Sequence, residues 1–123
     1  MAASEVIRST ITCGVPARAT RFSYSGSLQS GIVIHFKTAS ARINPAFLHT
    51  LIAEFRGRKI PGGFNMDNPT RGGLGIWVRD NSRILNGEPL SPRHASFIAA
   101  ILRDAGHLTS ITEGNTVILQ FAP

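Results

Sequence analysis

Arginine side chains are the groups in this chain that are best suited to bind an anion. Eleven of the thirteen Lys and Arg residues are Arg, and with seven Asp and Glu residues the formal net charge is +6. The planar guanidinium group donates two hydrogen bonds at once to a phosphate or a carboxylate, which the ammonium group of Lys does not. A GC-rich coding bias also replaces Lys with Arg, so the enrichment has two explanations.

Five of these cations lie around a glycine-rich segment, residues 59–75, KIPGGFNMDNPTRGGLG. The helix dipole favours cations at a helix C-terminus, which explains Arg56 and in part Arg58 after the first predicted helix. The dipole does not explain Arg71 or Arg93. The predicted nucleic-acid-binding residues are Arg56, Arg58, Lys59, Arg71 and Arg93, with Arg79 and Arg83 as additional candidates.

Arg93 falls in the first turn of the second predicted helix, where the dipole disfavours a cation. An anion bound at that helix N-terminus by backbone N–H groups and Arg93 would account for the position. A neighbouring acidic side chain such as Glu88 would account for it equally well.

The glycine-rich segment could be a domain linker, a phosphate cradle or an ordered surface loop. Neither flank has enough apolar residues for a core of its own, which argues against a linker. The segment matches neither G-x-x-x-x-G-K-[ST] nor G-x-G-x-x-G, and Asp67 opposes an anion, although glycine N–H groups can form an anion nest. We predict a surface loop, and if it belongs to a site we expect Ile60, Phe64 and Met66 to anchor it.

The positive charge is concentrated in the first three quarters of the chain. Residues 1–58 hold seven basic and two acidic side chains, residues 59–93 hold five and three, and residues 94–123 hold one and two. The net charges are therefore +5, +2 and −1, and a polyanion is expected to contact the first two of these regions.

Catalytic patterns are sparse. The histidines at 35, 49, 94 and 107 have no metal-ligand spacing, and no nucleophile motif or paired carboxylates are found. His94 beside Arg93 could act as a general base on a phosphodiester, although a helix-start residue of this kind is more often structural. We therefore predict no catalytic residue, no metal and no cofactor.

Length and composition indicate one domain over residues 1–123. No apolar run approaches the roughly 18 residues of a membrane span, so no membrane partner is expected. The lone Cys13 excludes an internal disulfide framework and favours a reducing compartment, from which we predict a cytoplasmic protein.

Strand patterns lie at both ends of the chain. EVIRSTITC places Ile7, Ser9, Ile11 and Cys13 on one face of an extended chain and predicts an edge strand, although arginines at 8, 18 and 21 are also compatible with a transit peptide. TRFSYS and GIVIHFKT bracket the turn-rich SGSLQS and predict a hairpin, with Ile32, Ile34 and Phe36 on one face. HLTSITEGNTVILQF predicts a second hairpin that turns at residues 113–115.

Helix patterns lie between the hairpins. Asn44-Pro45 and Ser91-Pro92 are N-terminal signals for helices over residues 45–56 and about 92–105, which Gly57 and Gly106 end. Residues 74–82 fit a short helix or a buried strand, and we favour the helix. The predicted fold class is α+β: an N-terminal antiparallel sheet, two Pro-started amphipathic helices around the glycine-rich loop, and a C-terminal β-hairpin.

The last predicted helix, Gly106 and the final hairpin resemble in outline the closing part of a winged helix. In such domains an earlier helix often enters the major groove, and the wing contacts phosphates. Here the hairpin has no Lys or Arg and contains Glu113, which departs from that pattern.

The sequence therefore predicts a small basic nucleic-acid-binding protein without catalytic activity, with DNA and RNA both open. The first alternative is a protein-interaction module, an inhibitor or an assembly subunit, that docks its basic face on an acidic protein. The second alternative is a metal-independent ribonuclease that uses His94. Aromatic residues Phe22, Tyr24 and Trp77 are candidate stacking partners for bases, and each also fits the core.

Overall fold

The computed structural model describes residues 7–14 and 19–123, which form two antiparallel sheets and three helices in an α+β arrangement. Glu5 and Val6, the start of the predicted first strand, lie outside the described residues. The elements run in the order β1 (Arg8–Ile11), β2 (Arg21–Ser27), β3 (Gly31–His35), β4 (Ser40–Ile43), α1 (Pro45–Phe55), β5 (Lys59–Pro61), α2 (Leu74–Leu85), α3 (His94–Asp104), β6 (Leu108–Glu113) and β7 (Thr116–Phe121).

Strands β1 to β4 form a meander, with β1 at one edge as the sequence predicted. The predicted β2–β3 hairpin is confirmed, and Tyr24 pairs with Ile34, which in turn pairs with Ala41. Because paired residues lie on the same face of a sheet, these apolar side chains all face the core. Gly26 is required at this hairpin, since its φ is +95° and a Cβ there would overlap the carbonyl oxygen of Gly31.

Helices α1 and α2 run antiparallel to each other. The end of α2 lies beside the start of α1, where the Asn44 side chain donates to the Leu85 carbonyl over 2.8 Å. At the opposite end the rings of Phe55 and Trp77 are 5.7 Å apart. Residues 74–82 are helical, as favoured from the sequence, and the helix continues to Leu85. The C-terminus of α1, the N-terminus of α2 and the loop between them therefore lie at one end of the helix pair.

Two asparagines hold together the end of the helix pair where α1 begins and α2 ends. Asn44 caps α1 by accepting from the Phe47 N–H over 2.8 Å, and its own N–H donates to Asn86 Oδ1 over 2.7 Å. Asn86 Nδ2 then donates to the carbonyl oxygens of Arg42 and Glu88. The predicted N-cap therefore also joins β4, α1 and α2.

The predicted C-terminal hairpin is confirmed as β6 and β7, and the short strand β5 extends it to a three-stranded sheet of order β5-β7-β6. With α3 before it, this part keeps the outline of helix, glycine and hairpin that resembles a winged helix. Helix α3 is largely enclosed, because Ile98 and residues 99–102 are buried and the Phe97 ring packs edge-on against Phe22 and Phe36 of the four-stranded sheet.

Both sheets and all three helices contribute to one hydrophobic core, including Ile34, Leu48, Val78, Leu102 and Leu119. Among the described residues, no helix is both long enough and apolar enough to cross a membrane.

Candidate functional site

The glycine-rich loop, residues 59–75, is bonded to elements on both sides. Gly62 donates its N–H to the Val117 carbonyl over 2.8 Å, and Gly75 donates to the Gly62 carbonyl over 2.9 Å. A Cβ on Gly75 would overlap the carbonyl oxygen of Gly63, so the start of α2 packs directly on the loop backbone. The loop is therefore an ordered connection whose path depends on glycine.

Two of the three expected anchors hold the loop. Ile60 is buried, and Phe64 is partly buried against the core with its ring beside Gly62. The expectation for Met66 was wrong, because 49% of this residue is exposed. Its neighbourhood is instead closed by an Asx turn, in which Asn65 Oδ1 accepts from the N–H groups of residues 67 and 68.

Three of the predicted cations lie together where α1 ends and β5 begins. Arg56, Arg58 and Lys59 are all exposed, and Lys59 pairs with Gln120 of β7. The Arg58 guanidinium group lies 3.3 Å from Glu54 and 5.2 Å from the centroid of the Phe55 ring. The Arg58 guanidinium group therefore already contacts two residues of α1, Glu54 and Phe55.

Arg71 lies at the other side of the loop, exposed in the turn before α2. Because α2 begins at the end of the helix pair where α1 stops, the loop topology brings Arg71 to the same end as Arg56, Arg58 and Lys59. Four of the five predicted residues thus come from one end of the α1–α2 pair.

Arg93 lies in the turn that leads into α3. There it lines a polar groove of about 600 Å³, bounded by the glycine-rich loop, Thr12–Gly14, and the tip of the C-terminal hairpin at 115–117. Asp67 lies on the loop wall of this groove and offsets part of the charge of Arg93. Cys13 also lines it, but burial raises the pKa of its thiol, so the sulfur is held in the unreactive protonated form.

The backbone at the start of α3 is not available to an anion in the way the sequence suggested. The N–H groups of residues 94, 95 and 96 donate to the carbonyl oxygens of residues 91, 92 and 93. Within the part of the chain that the structure describes, Glu88 forms no ion pair with Arg93 and instead lines a hollow beside Arg42 and Asn86. Arg93 is therefore an exposed cation without either of the two expected partners.

His94 has a bonding role inside the same turn. Its Nδ1 accepts from the Ser91 backbone N–H over 2.9 Å, and the Ser91 hydroxyl lies at the same distance. A neutral imidazole that accepts at Nδ1 carries its proton on Nε2, where it can donate but cannot take up a proton. Burial also lowers the pKa of His94, which favours this neutral form. The arrangement supports a structural role for the ring and gives a general base at Nε2 no support.

The candidate stacking residues are not free to receive a base. Phe22 and Tyr24 are buried on the core face of the four-stranded sheet. Trp77 is partly buried and packs against Phe47 and Phe55. The two additional cations, Arg79 and Arg83, lie on the exposed face of α2, where Arg79 pairs with Asp80 over 2.9 Å.

Three exposed arginines outside the predicted set, Arg8, Arg21 and Arg42, lie on the four-stranded sheet. The signal for Arg21 was present in the alternation of TRFSYS, where it falls on the face opposite the apolar residues. Arg42 gave no such signal because β4 was not predicted.

Within residues 7–14 and 19–123, no cluster of three or more His, Cys, Asp or Glu side chains could hold a metal ion. Comparison of the chain with protein-family models, curated proteins and solved structures gave no match.

Proposed function

We propose that this chain is a small cytoplasmic nucleic-acid-binding protein without catalytic activity, which contacts phosphates through Arg56, Arg58, Lys59, Arg71 and Arg93. The observation that supports the proposal most is the exposure of all five side chains, of which only Arg58 takes part in an ion pair among the described residues. Exposed cations that take part in no ion pair leave a surface potential that attracts a polyanion.

The acidic side chains do little to offset this charge. The three ion pairs of the described chain join near neighbours in sequence: Arg58 with Glu54, Arg79 with Asp80, and Arg103 with Asp104. Asp67 lines the same groove as Arg93, and Glu113 lies at the end of β6. Most of the net charge of +6 is therefore on cations that face solvent.

The proposed contacts are to the nucleic-acid backbone. Helix α3, which precedes the hairpin, has its apolar face against the core and Phe97 against the four-stranded sheet, so it does not project as a helix that enters a groove. Without an inserted helix or exposed stacking rings, binding rests on phosphates and carries little sequence information.

A salt titration tests the proposal. Fluorescence titrations of single-stranded DNA, duplex DNA and RNA at several salt concentrations give the slope of log affinity against log salt. Each phosphate contact contributes about −0.7 to −0.9, so five contacts predict a slope of about −3.5 to −4.5. Micromolar or tighter binding at low salt with this slope supports the proposal, and no binding at low salt overturns it.

An acidic protein surface is the alternative partner for the same cations. A pull-down of acidic proteins, run beside the nucleic-acid titration, distinguishes an acidic protein partner from a nucleic-acid partner. Capture of such a protein by a chain that fails to bind nucleic acid at low salt would favour an interaction module, either an inhibitor or an assembly subunit.

A further inference from the structure

Among the described residues, the four-stranded sheet has one face whose side chains, with the exception of Ser25, are partly or fully exposed. Its core face packs on α1 and α3 through side chains such as Phe22, Ile34 and Thr10. The opposite face, which we call the outer face, is formed by Ser9, Ile11, Arg21, Ser23, Ser25, Val33, His35, Ser40 and Arg42. Seven of these nine residues are polar or charged, so the face is suited to water or to a polar partner.

A polar row crosses the outer face. Ser9 pairs with Ser23, Ser23 with His35, and His35 with Ser40, so the four side chains lie side by side over all four strands. His35 Nε2 also lies 3.0 Å from the hydroxyl of Ser25, which is buried beneath it. The row therefore presents several hydrogen-bonding groups in a fixed register.

An arginine stands on each side of this row. Arg21 pairs with Ile11 at one end of β2, and its Nη1 lies 3.5 Å from Ser9 Oγ. Arg42 pairs with Val33 on the opposite side of the row. Both side chains are exposed, and neither takes part in an ion pair among the described residues. The two cations thus mark the ends of a diagonal across the face.

The sequence that forms this sheet contains no acidic residue. From Val6 to Ala53 the chain has no Asp or Glu, which leaves the cations of the four strands and their turns unbalanced locally. Glu88 lines a hollow together with Arg42 and Ser25 at the edge of β4. The charge of the outer face is complementary to a polyanion.

We propose that the outer face binds the sugar–phosphate backbone of a nucleic acid, with Arg21 and Arg42 on phosphates and the serine hydroxyls of the polar row donating to phosphate oxygens. The inference rests on the proposed function and adds a second contact surface to it. Four strands at about 4.8 Å spacing extend about 14 Å between the outer strand axes. Because the major groove is only roughly 12 Å wide, the sheet contacts the backbone and does not enter the groove. The aromatic rings of this sheet face the core, so the surface lacks stacking groups and reads no bases.

The experiment compares three double variants that each remove two positive charges. Arg21→Ala with Arg42→Ala alters the outer face, Arg71→Ala with Arg93→Ala alters two of the five proposed phosphate contacts, and Arg79→Ala with Arg83→Ala alters the exposed face of α2. Each is titrated with labelled single-stranded and duplex DNA at several salt concentrations, and melting temperatures confirm that the variants fold. The outer-face variant is expected to bind every sequence more weakly and to reduce the slope by about 1.4 to 1.8.

The outcomes separate this inference from the proposed function. If the outer-face variant binds with the affinity and the salt slope of the wild type, the inference is overturned and the proposed function stands. An equal loss in all three variants also overturns it, because only total charge would then matter. If the wild-type chain binds no nucleic acid at low salt, the proposed function itself fails. Ser40→Asp places a negative charge at the exposed end of the polar row and is expected to weaken binding without removing any cation.

Discussion

The guanidinium group of Arg103 donates to the Ile11 carbonyl oxygen over 2.8 Å and so joins α3 to β1. The same group donates to Thr10 Oγ1 over 3.0 Å, and its Nε lies 3.3 Å from Asp104. Helix α3 and the four-stranded sheet are thus linked by a charged side chain as well as by the Phe97 ring.

Arg103→Ala is expected to destabilise the fold. Hydrogen bonds to charged groups contribute about 1.5 to 3 kcal/mol each when buried. The bonds of Arg103 to Thr10 and Ile11 are partly exposed, so we expect a joint loss of about 2 kcal/mol in urea unfolding. Arg79→Ala is the matched control, since Arg79 also pairs with the Asp that follows it but, among the described residues, bonds to no other element. Its expected change is below about 0.5 kcal/mol. Equal losses in the two variants would contradict a structural role for the Arg103–Ile11 contact.

Asn44 provides a test that separates its cap from its link to α2. Asn44→Asp keeps an oxygen that accepts from the Phe47 N–H but loses the donor to the Leu85 carbonyl. Asn44→Ala loses both, and loss of the cap alone costs about 0.5 to 2 kcal/mol. In urea, the free energy of unfolding of Asn44→Asp should lie between those of the wild type and Asn44→Ala. If Asn44→Asp is as stable as the wild type, the bond to Leu85 contributes nothing.

Much of the fold could be predicted from local signals. Asn44-Pro45, Gly57 and the apolar spacing of residues 47–55 define α1, and the alternation in residues 31–36 defines β3 together with its core face. Strands β4 and β5 were missed because SARI and KIP are too short to show a period, and their pairing to β3 and β7 is tertiary.

The candidate site was harder to derive. The sequence identified the cations that flank the glycine-rich loop, but it could not show that Arg93 and Asp67 line one groove. It also treated Arg103 as part of a charge count, whereas its bonds to Thr10 and Ile11 span more than ninety positions in the chain. Such pairings depend on tertiary structure and leave no periodic signal.

Gly75→Ala is expected to destabilise the protein although it lies within α2. In an exposed helix this change usually stabilises by up to about 1 kcal/mol. Here the added methyl group would overlap the Gly63 carbonyl oxygen, so the loop or the helix start must shift. Gly72→Ala is the control: with a φ of +79° and no atom near the added Cβ, it should cost only about 1 to 2 kcal/mol of conformational strain. A smaller fall in melting temperature for Gly75→Ala than for Gly72→Ala would contradict the close packing of Gly75 on the Gly63 carbonyl.

Removal of the loop cations should affect binding without affecting stability. Arg71 and Arg93 are exposed and, among the described residues, form no ion pair. Their joint replacement by Ala should leave the melting temperature within about 2 °C of wild type, because exposed charges contribute little. A large fall in melting temperature would show that these side chains serve the fold.

The pH dependence of stability should carry a contribution from His94. Burial lowers the pKa of His94 in the folded chain, whereas in the unfolded chain the group titrates near 6.5. As the pH falls below about 6.5, the unfolded state binds a proton that the folded state does not, so stability decreases until the folded state is protonated as well. Above that pH the contribution is fully present.

His94→Asn keeps an oxygen that can accept from the Ser91 N–H but does not titrate, and should therefore lose less stability between pH 7 and pH 5. The measurement is urea unfolding across this range, with a maximum slope difference of about 1.4 kcal/mol per pH unit for one proton. The other histidines are common to both proteins, so identical pH profiles would show that burial does not hold His94 neutral.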